Sequence, residues 1–273
     1  MIVDSHVHAI APNRERYPLA PAHGQSGVWP YVSTEEVLQG MDAAGVKRAV
    51  LHHVRSAYGP DNRYVADSVR QYPGRFTSVC VIDVLASNAP DQLSRWVEDQ
   101  GMRGIRLFAT GEGEHLLLDD ARVYPVWQRA KKLGITVAVM MNSRDLARLR
   151  ATAERFIEVP VALDHLANFN VAVAPSAAVA ALIGLASLPN LYLKFSTDNI
   201  AAARAAGIPP ADLFAPLIEA FGPSRLIWGS NFSTDQPTYV DSLALAKETL
   251  AALPEPQREQ VLGGTALRLW FGG

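Results

Sequence analysis

The chain has 273 residues, 49% hydrophobic and 19% charged, enough apolar content for a sizeable core and too much for global disorder. Against 27 Asp and Glu stand 25 Lys and Arg, a net charge of −2 without the basic block that attracts nucleic acid or an anionic membrane. The lone Cys80 excludes an intramolecular disulfide and a cysteine-built zinc site, and the opening Met-Ile-Val-Asp-Ser-His has no export-signal pattern, so the expectation is a soluble cytoplasmic protein.

Short β-branched or apolar runs alternate along the chain with longer segments of helical period. The predicted strands are Ile2–Ser5, Arg48–His53, Phe76–Ile82, Gly104–Phe108, Ile135–Met141, Val161–Leu163, Leu191–Phe195 and Leu226–Trp228. The predicted helices are Thr34–Ala44, Asn62–Tyr72, Ala89–Gln100, Arg122–Leu133, Arg144–Phe156, Pro175–Leu185, Pro210–Phe221 and Thr238–Leu253. Ser33 with Glu36 reads as a capping box, and Gly45 and Gly134 fall where a left-handed C-cap is wanted. Leu166 to Leu193 holds no charge, but Pro175, Pro189 and its asparagines break it well short of the roughly 20 continuous apolar residues of a spanning helix. It reads as a helix packed under its neighbours, with a subunit contact as the alternative; a homo-oligomer stays open.

Strand, helix, strand repeated with short connections implies parallel pairing. Eight such units close into a distorted (β/α)₈ barrel of about 250 residues, read as a single domain over 1–273. The Gly-rich phosphate turn that marks an open doubly wound sheet is missing, Gly111-Glu112-Gly113 being too short. The tail, Pro256 to Phe271, reads as a last helix that packs Leu267, Leu269 and Trp270 against the barrel.

The active site of such a barrel lies at the C-terminal ends of its strands. There the sequence places His6 and His8, His52 and His53, Asp83, Arg106, Asn142, Asp164 and His165, Ser196, Asn231 and Asp235. Residues i and i+2 share a side of a strand, so His6 and His8 can converge on one point, as zinc ligands do at about 2.0–2.1 Å. The alternative is that one ring caps a loop and the other is a satisfied core group. His165 is a third nitrogen or an acid/base, and on a regular strand Asp164 faces away from it. Alternation lets only one of His52 and His53 face the mouth. Arg106 suits a bidentate grip on a carboxylate, or else a salt bridge at the rim. His23 and His115 read as solvent-facing loop residues, and Cys80 as inert core.

Asp4-Ser5-His6-Val7-His8, Asp164-His165-Leu166, Trp228-Gly229-Ser230-Asn231-Phe232 and Gly264-Thr265-Ala266-Leu267-Arg268-Leu269-Trp270, in that order, resemble the amidohydrolase superfamily. Tyr58-Gly59-Pro60-Asp61-Asn62-Arg63-Tyr64 and Gly104-Ile105-Arg106-Leu107 are similar to landmarks of the branch that contains 2-pyrone-4,6-dicarboxylate lactonase, fuconolactonase and other sugar lactonases. The resemblance spans the chain. It implies a barrel hydrolase in which His6, His8 and His165 bind one divalent ion, zinc or manganese, or polarise a carbonyl without a metal. Its last-strand Asp is replaced by Asn231, which cannot take a proton, and Asp235 four residues on is the expected substitute. The fifth strand lacks the bridging Lys or Glu of a two-metal site.

The leading expectation is a lactone hydrolase acting on a carboxylate or polyol lactone. Water would be handled by Asp235 or Asn231, and the substrate held by Arg106, Tyr58, Asn142 and His53. The alternatives are a mononuclear-metal decarboxylase of an aromatic or enol acid, and a barrel without catalysis that binds a small acid. Loops Ala9–Val32 and Ala109–Asp120 carry specificity without a readable code.

Overall fold

The computed structural model describes residues 1–20, 32–110, 118–170, 173–232 and 237–272. Each β-branched run forms a strand: β1 Val3–Val7, β2 Arg48–His52, β3 Phe76–Val79, β4 Gly104–Ala109, β5 Thr136–Met141, β6 Val161–Leu163, β7 Leu191–Ser196 and β8 Leu226–Gly229. All pairs between neighbours are parallel, in sheets of order β1-β2-β3 and β4 to β8. Two narrow seams join the sheets into the expected (β/α)₈ barrel. At one, Cys80 N donates to Gly104 O at 2.9 Å and Arg106 N to Cys80 O at 2.8 Å. At the other, Val7 bridges to Phe232 and Asn231 N donates to His6 O at 2.9 Å.

The helices over the outer face are α1 Thr34–Ala44, α2 Arg63–Gln71, α3 Ala89–Ser94, α4 Tyr124–Leu133, α5 Leu146–Arg155, α6 Pro175–Ile183, α7 Thr197–Ala205, α8 Pro210–Phe221, α9 Tyr239–Thr249 and α10 Thr265–Trp270. Ser33 and Glu36 form the capping box, and Gly45 and Gly134 close their helices at φ 74° and 64°. The uncharged segment becomes α6 between loops, and no helix of the described residues is long and apolar enough to cross a membrane. Helix α7 is absent from the sequence-based list. It starts directly at the end of β7, with Ser196 as its N-cap and Asn199 completing a capping box.

The barrel interior is filled in layers. Trp270 of α10 plugs the N-terminal end, packed with Val3, Val50, Val79, Ala162 and Ile227. Gly104 makes room for it, since a Cβ there would lie 3.3 Å from Trp270 Nε1 and 2.8 Å from Thr136 O. The Lys194 ammonium stands over the Trp270 ring, 5.0 Å from its centre, and begins the polar layer.

Candidate active site

Two local irregularities decide which side chains enter the polar layer. The β1–β2 register shifts between Asp4 and Val7. Val3 therefore packs beside Val50, while His6, three residues on, stacks on His52, two residues on, at 3.9 Å. A bulge permits this odd spacing and re-aims the strand end. After β6 four residues, His165 to Asn168, run through left-handed backbone at φ 48° to 56°. That turn is costly for residues other than glycine. It brings His165 beside Asp164 at the centre, where a regular strand would have parted them.

At the centre lies a fully buried ion network. Asp164 accepts from Arg106 Nε at 2.8 Å, and its other oxygen lies 3.0 Å from Lys194 Nζ. Lys194 Nζ is also 3.3 Å from His6 Nδ1 and 3.2 Å from His52 Nε2. Burial raises the cost of ionising Asp164, but Lys194 and Arg106 outweigh it and hold its pKa below the ordinary value. Burial pulls the Lys194 pKa down, opposed by Asp164. Desolvation, with those cations nearby, lowers His8 to about 3 and His165 to about 4, and takes His6 and His52 well below the ordinary histidine range. The imidazoles are neutral at neutral pH.

Hydrogen-bond partners assign the tautomers. His8 Nδ1 donates to His52 O at 2.9 Å, so its Nε2 is a lone pair. His52 Nε2 lies 3.0 Å from Ser5 O and 3.2 Å from Lys194 Nζ. The Lys194 ammonium has only donors, so His6 Nδ1 accepts and His6 Nε2 carries the proton, facing His8 Nε2 at 3.1 Å. His165 Nδ1 pairs with Ser196 Oγ at 3.0 Å.

Of the expected residues, His6, His8 and His165 gather here, with ring centres of His6 and His165 4.7 Å apart. Arg106 enters through Asp164, so its buried guanidinium is an interior ion-pair member and not a rim salt bridge. His52 joins the cluster, whereas His53 turns to Gly59 O at 2.7 Å. Tyr58 is buried and its hydroxyl accepts from Ala11 N at 2.7 Å, while Asn142 donates to Thr110 O at 2.6 Å. Asn231 donates to Asp198 Oδ2 at 2.6 Å. Asp235, His23 and His115 lie outside the described residues. Sequence reading passed over Lys194 and Asp198. A lone lysine inside the apolar run Leu-Tyr-Leu-Lys-Phe-Ser was the available signal for the first.

Among the described residues, one group of three metal-ligating side chains stands close together: His6, His52 and Asp164, their donor atoms within 4.8 Å of one another. The Lys194 ammonium already occupies the space among them. His6 and His8 have Nε2 atoms 3.1 Å apart, near the roughly 3.3 Å between two ligands of tetrahedral zinc, but the His6 nitrogen carries a proton and offers no lone pair. A divalent ion held by His6, His52 and Asp164 would have to displace the Lys194 ammonium, and one held by the Nε2 atoms of His6 and His8 would need the other tautomer of His6.

The amidohydrolase family profile matches residues 3–272. The chain belongs to the amidohydrolase family. The expected family is thereby met. L-fucono-1,5-lactonase of Burkholderia ambifaria is 28% identical over 179 residues, 63% of this chain and 60% of that protein, so the match spans about three fifths of the relative's length. A probable 2-pyrone-4,6-dicarboxylic acid hydrolase of Acinetobacter baumannii, with citric acid bound, shares the fold at TM-score 0.77 and 18% identity, covering 98% of both chains. An amidohydrolase of Burkholderia multivorans with bound zinc does so at 0.78 and 20%, again over 98% of both.

Proposed function

We propose that this amidohydrolase opens a lactone, a cyclic ester of a sugar or of a carboxylic acid, by adding water to the ring carbonyl without a metal. The observation that carries the reading is the neutral histidine cluster backed by a buried cation. Lys194 on His6 Nδ1 makes the opposite Nε2–H a stronger donor, directed at the mouth where His8 is half-buried. A lactone carbonyl oxygen that takes the place of the His8 lone pair would meet this donor, with His165 beside it. Such donors act in a dry site on charge that develops in the transition state. Arg106 and Arg55 both stand over the Phe108 ring, at 4.8 and 5.2 Å, and supply positive charge for a substrate carboxylate. The fucono-lactonase relative supports a lactone substrate.

A decarboxylase would call for a resident metal and a charged last-strand carboxylate, where this chain has Lys194 and Asn231. A panel of sugar lactones and pyrone carboxylates, followed by acid release with a pH indicator, tests the proposal. Hydrolysis of at least one member is expected, and His6→Ala and His165→Ala should each lower kcat about 10²–10³-fold in folded protein. Carbon dioxide release from a hydroxybenzoate, or tight binding of a small acid without turnover, would overturn it.

A further inference from the structure

Lactone hydrolysis, the reading on which this inference rests, needs a group that takes a proton from the attacking water, and the amide of Asn231 has no basic atom. The imidazoles are poorly placed for that task, because a proton on any of them adds a cation beside Lys194 and Arg106. A carboxylate is neutralised by the same proton and creates no such repulsion. One stands beside Asn231. The Asn231 side chain donates to Asp198 Oδ2 at 2.6 Å, while its backbone is tied to His6 O at 2.9 Å and adopts φ 54°. Asparagine tolerates that left-handed conformation better than most residues.

Asp198 is in the first turn of α7, half-buried, where the helix dipole favours a negative charge. The turn is locked to His165. Ser196 Oγ is 3.0 Å from His165 Nδ1, and Asn199 Nδ2 donates to His165 O at 3.2 Å while its Oδ1 accepts from Ser196 N at 2.9 Å. The negative charge of Asp198 acts on His165, opposing the fall in its pKa. One carboxylate thus lies between the end of β8 and a histidine of the central cluster, oriented by the residue that replaced the expected acid.

We propose that Asp198 is the general base of this enzyme and Asn231 its positioning residue. Asp198 takes one proton of water as the water oxygen bonds to the lactone carbonyl carbon. The ring C–O bond then breaks, and the same proton passes to the leaving oxygen. One water is consumed and no other reactant is required.

The test uses a lactone hydrolysed by the wild type and compares Asp198→Asn, Asp198→Ala and the exchange Asp198→Asn/Asn231→Asp. General-base help is worth roughly 10²–10⁴-fold, so both single variants should lose at least about 10² in kcat, with KM little changed. Added formate or azide should restore part of the Asp198→Ala rate, which a purely structural carboxylate would not permit. The exchange variant returns a carboxylate to the other end of the same hydrogen bond and should regain activity. A kcat for folded Asp198→Ala within about threefold of wild type would overturn the assignment and leave the lactonase reading intact. If the single variants do not fold, a folded exchange variant without activity overturns it. A wild type that hydrolyses no lactone overturns both.

Discussion

Lys194 holds the site in one protonation pattern. Its ammonium lies within 3.3 Å of His6 Nδ1, His52 Nε2 and Asp164 Oδ1, among the three clustered side chains that could otherwise hold an ion. An internal cation cannot be chelated away, so prolonged dialysis against EDTA should leave kcat unchanged. Elemental analysis of the active protein should find well below one zinc or manganese per chain. Lys194→Met keeps the stem over Trp270 but leaves the Asp164 carboxylate with Arg106 alone and frees His6 to change tautomer. Removing one partner of a buried ion pair costs about 3–5 kcal/mol. The variant should therefore unfold at lower denaturant, and whatever remains folded should be slow. An EDTA-sensitive wild type would show instead that the active protein holds an ion, either in place of the lysine ammonium or on the Nε2 atoms of His6 and His8.

At the scale of elements, the seams of the barrel set the histidine geometry. Gly229 at the end of β8 is required by contact, since a Cβ there would lie 2.5 Å from His6 Cβ and 3.1 Å from Ser5 Oγ. Gly229→Ala must push β1 outward. Overpacking of this kind costs about 1–3 kcal/mol, and because the displaced atom belongs to His6, the loss of kcat should exceed that in a surface variant of equal stability. Thermal melts and turnover measured on the same preparation check this. The eight strands and the barrel are legible in the sequence because period-two apolar runs mark them, and His6, His8 and His165 stand out by their positions at strand ends. The β1 bulge and the left-handed turn at His165 break alternation, and no residue type announces them: the turn contains His-Leu-Ala-Asn where glycine would have been a signal. Hence alternation puts Asp164 on the far face and the sequence favours His53 for the substrate, where the structure places Asp164 and His52 in the cluster. Helix α7 escaped because it begins at Ser196 without an intervening loop, and its alanines carry little apolar periodicity.

For the molecule as a whole, this interior makes stability depend on pH in a direction that can be worked out. His6, His52, His53 and His165 are buried and His8 half-buried, all with folded-state pKa values below the ordinary 6.5, His53 and His165 at about 4 and His8 at about 3. Between those values and 6.5 the unfolded chain binds protons that the folded chain refuses. Their contribution is full above pH 6.5 and is lost as the pH falls. One pKa unit corresponds to about 1.4 kcal/mol, so His53 and His165 alone each lose on the order of 3 kcal/mol by pH 4. Asp164, held below its ordinary 3.8, extends the loss to lower pH; Asp4, raised by burial, works the other way. Against a typical total of about 5–15 kcal/mol, the histidine term is enough to unfold the barrel in mild acid. The melting temperature should be nearly level from pH 7 to 8 and fall steeply below pH 6. His53→Gln, which keeps a donor for Gly59 O without an imidazole, should make that fall shallower. A melting temperature unchanged from pH 7 to 4 would mean that these histidines take up protons as readily in the folded barrel as out of it, and the neutral cluster on which the site depends would have to be abandoned.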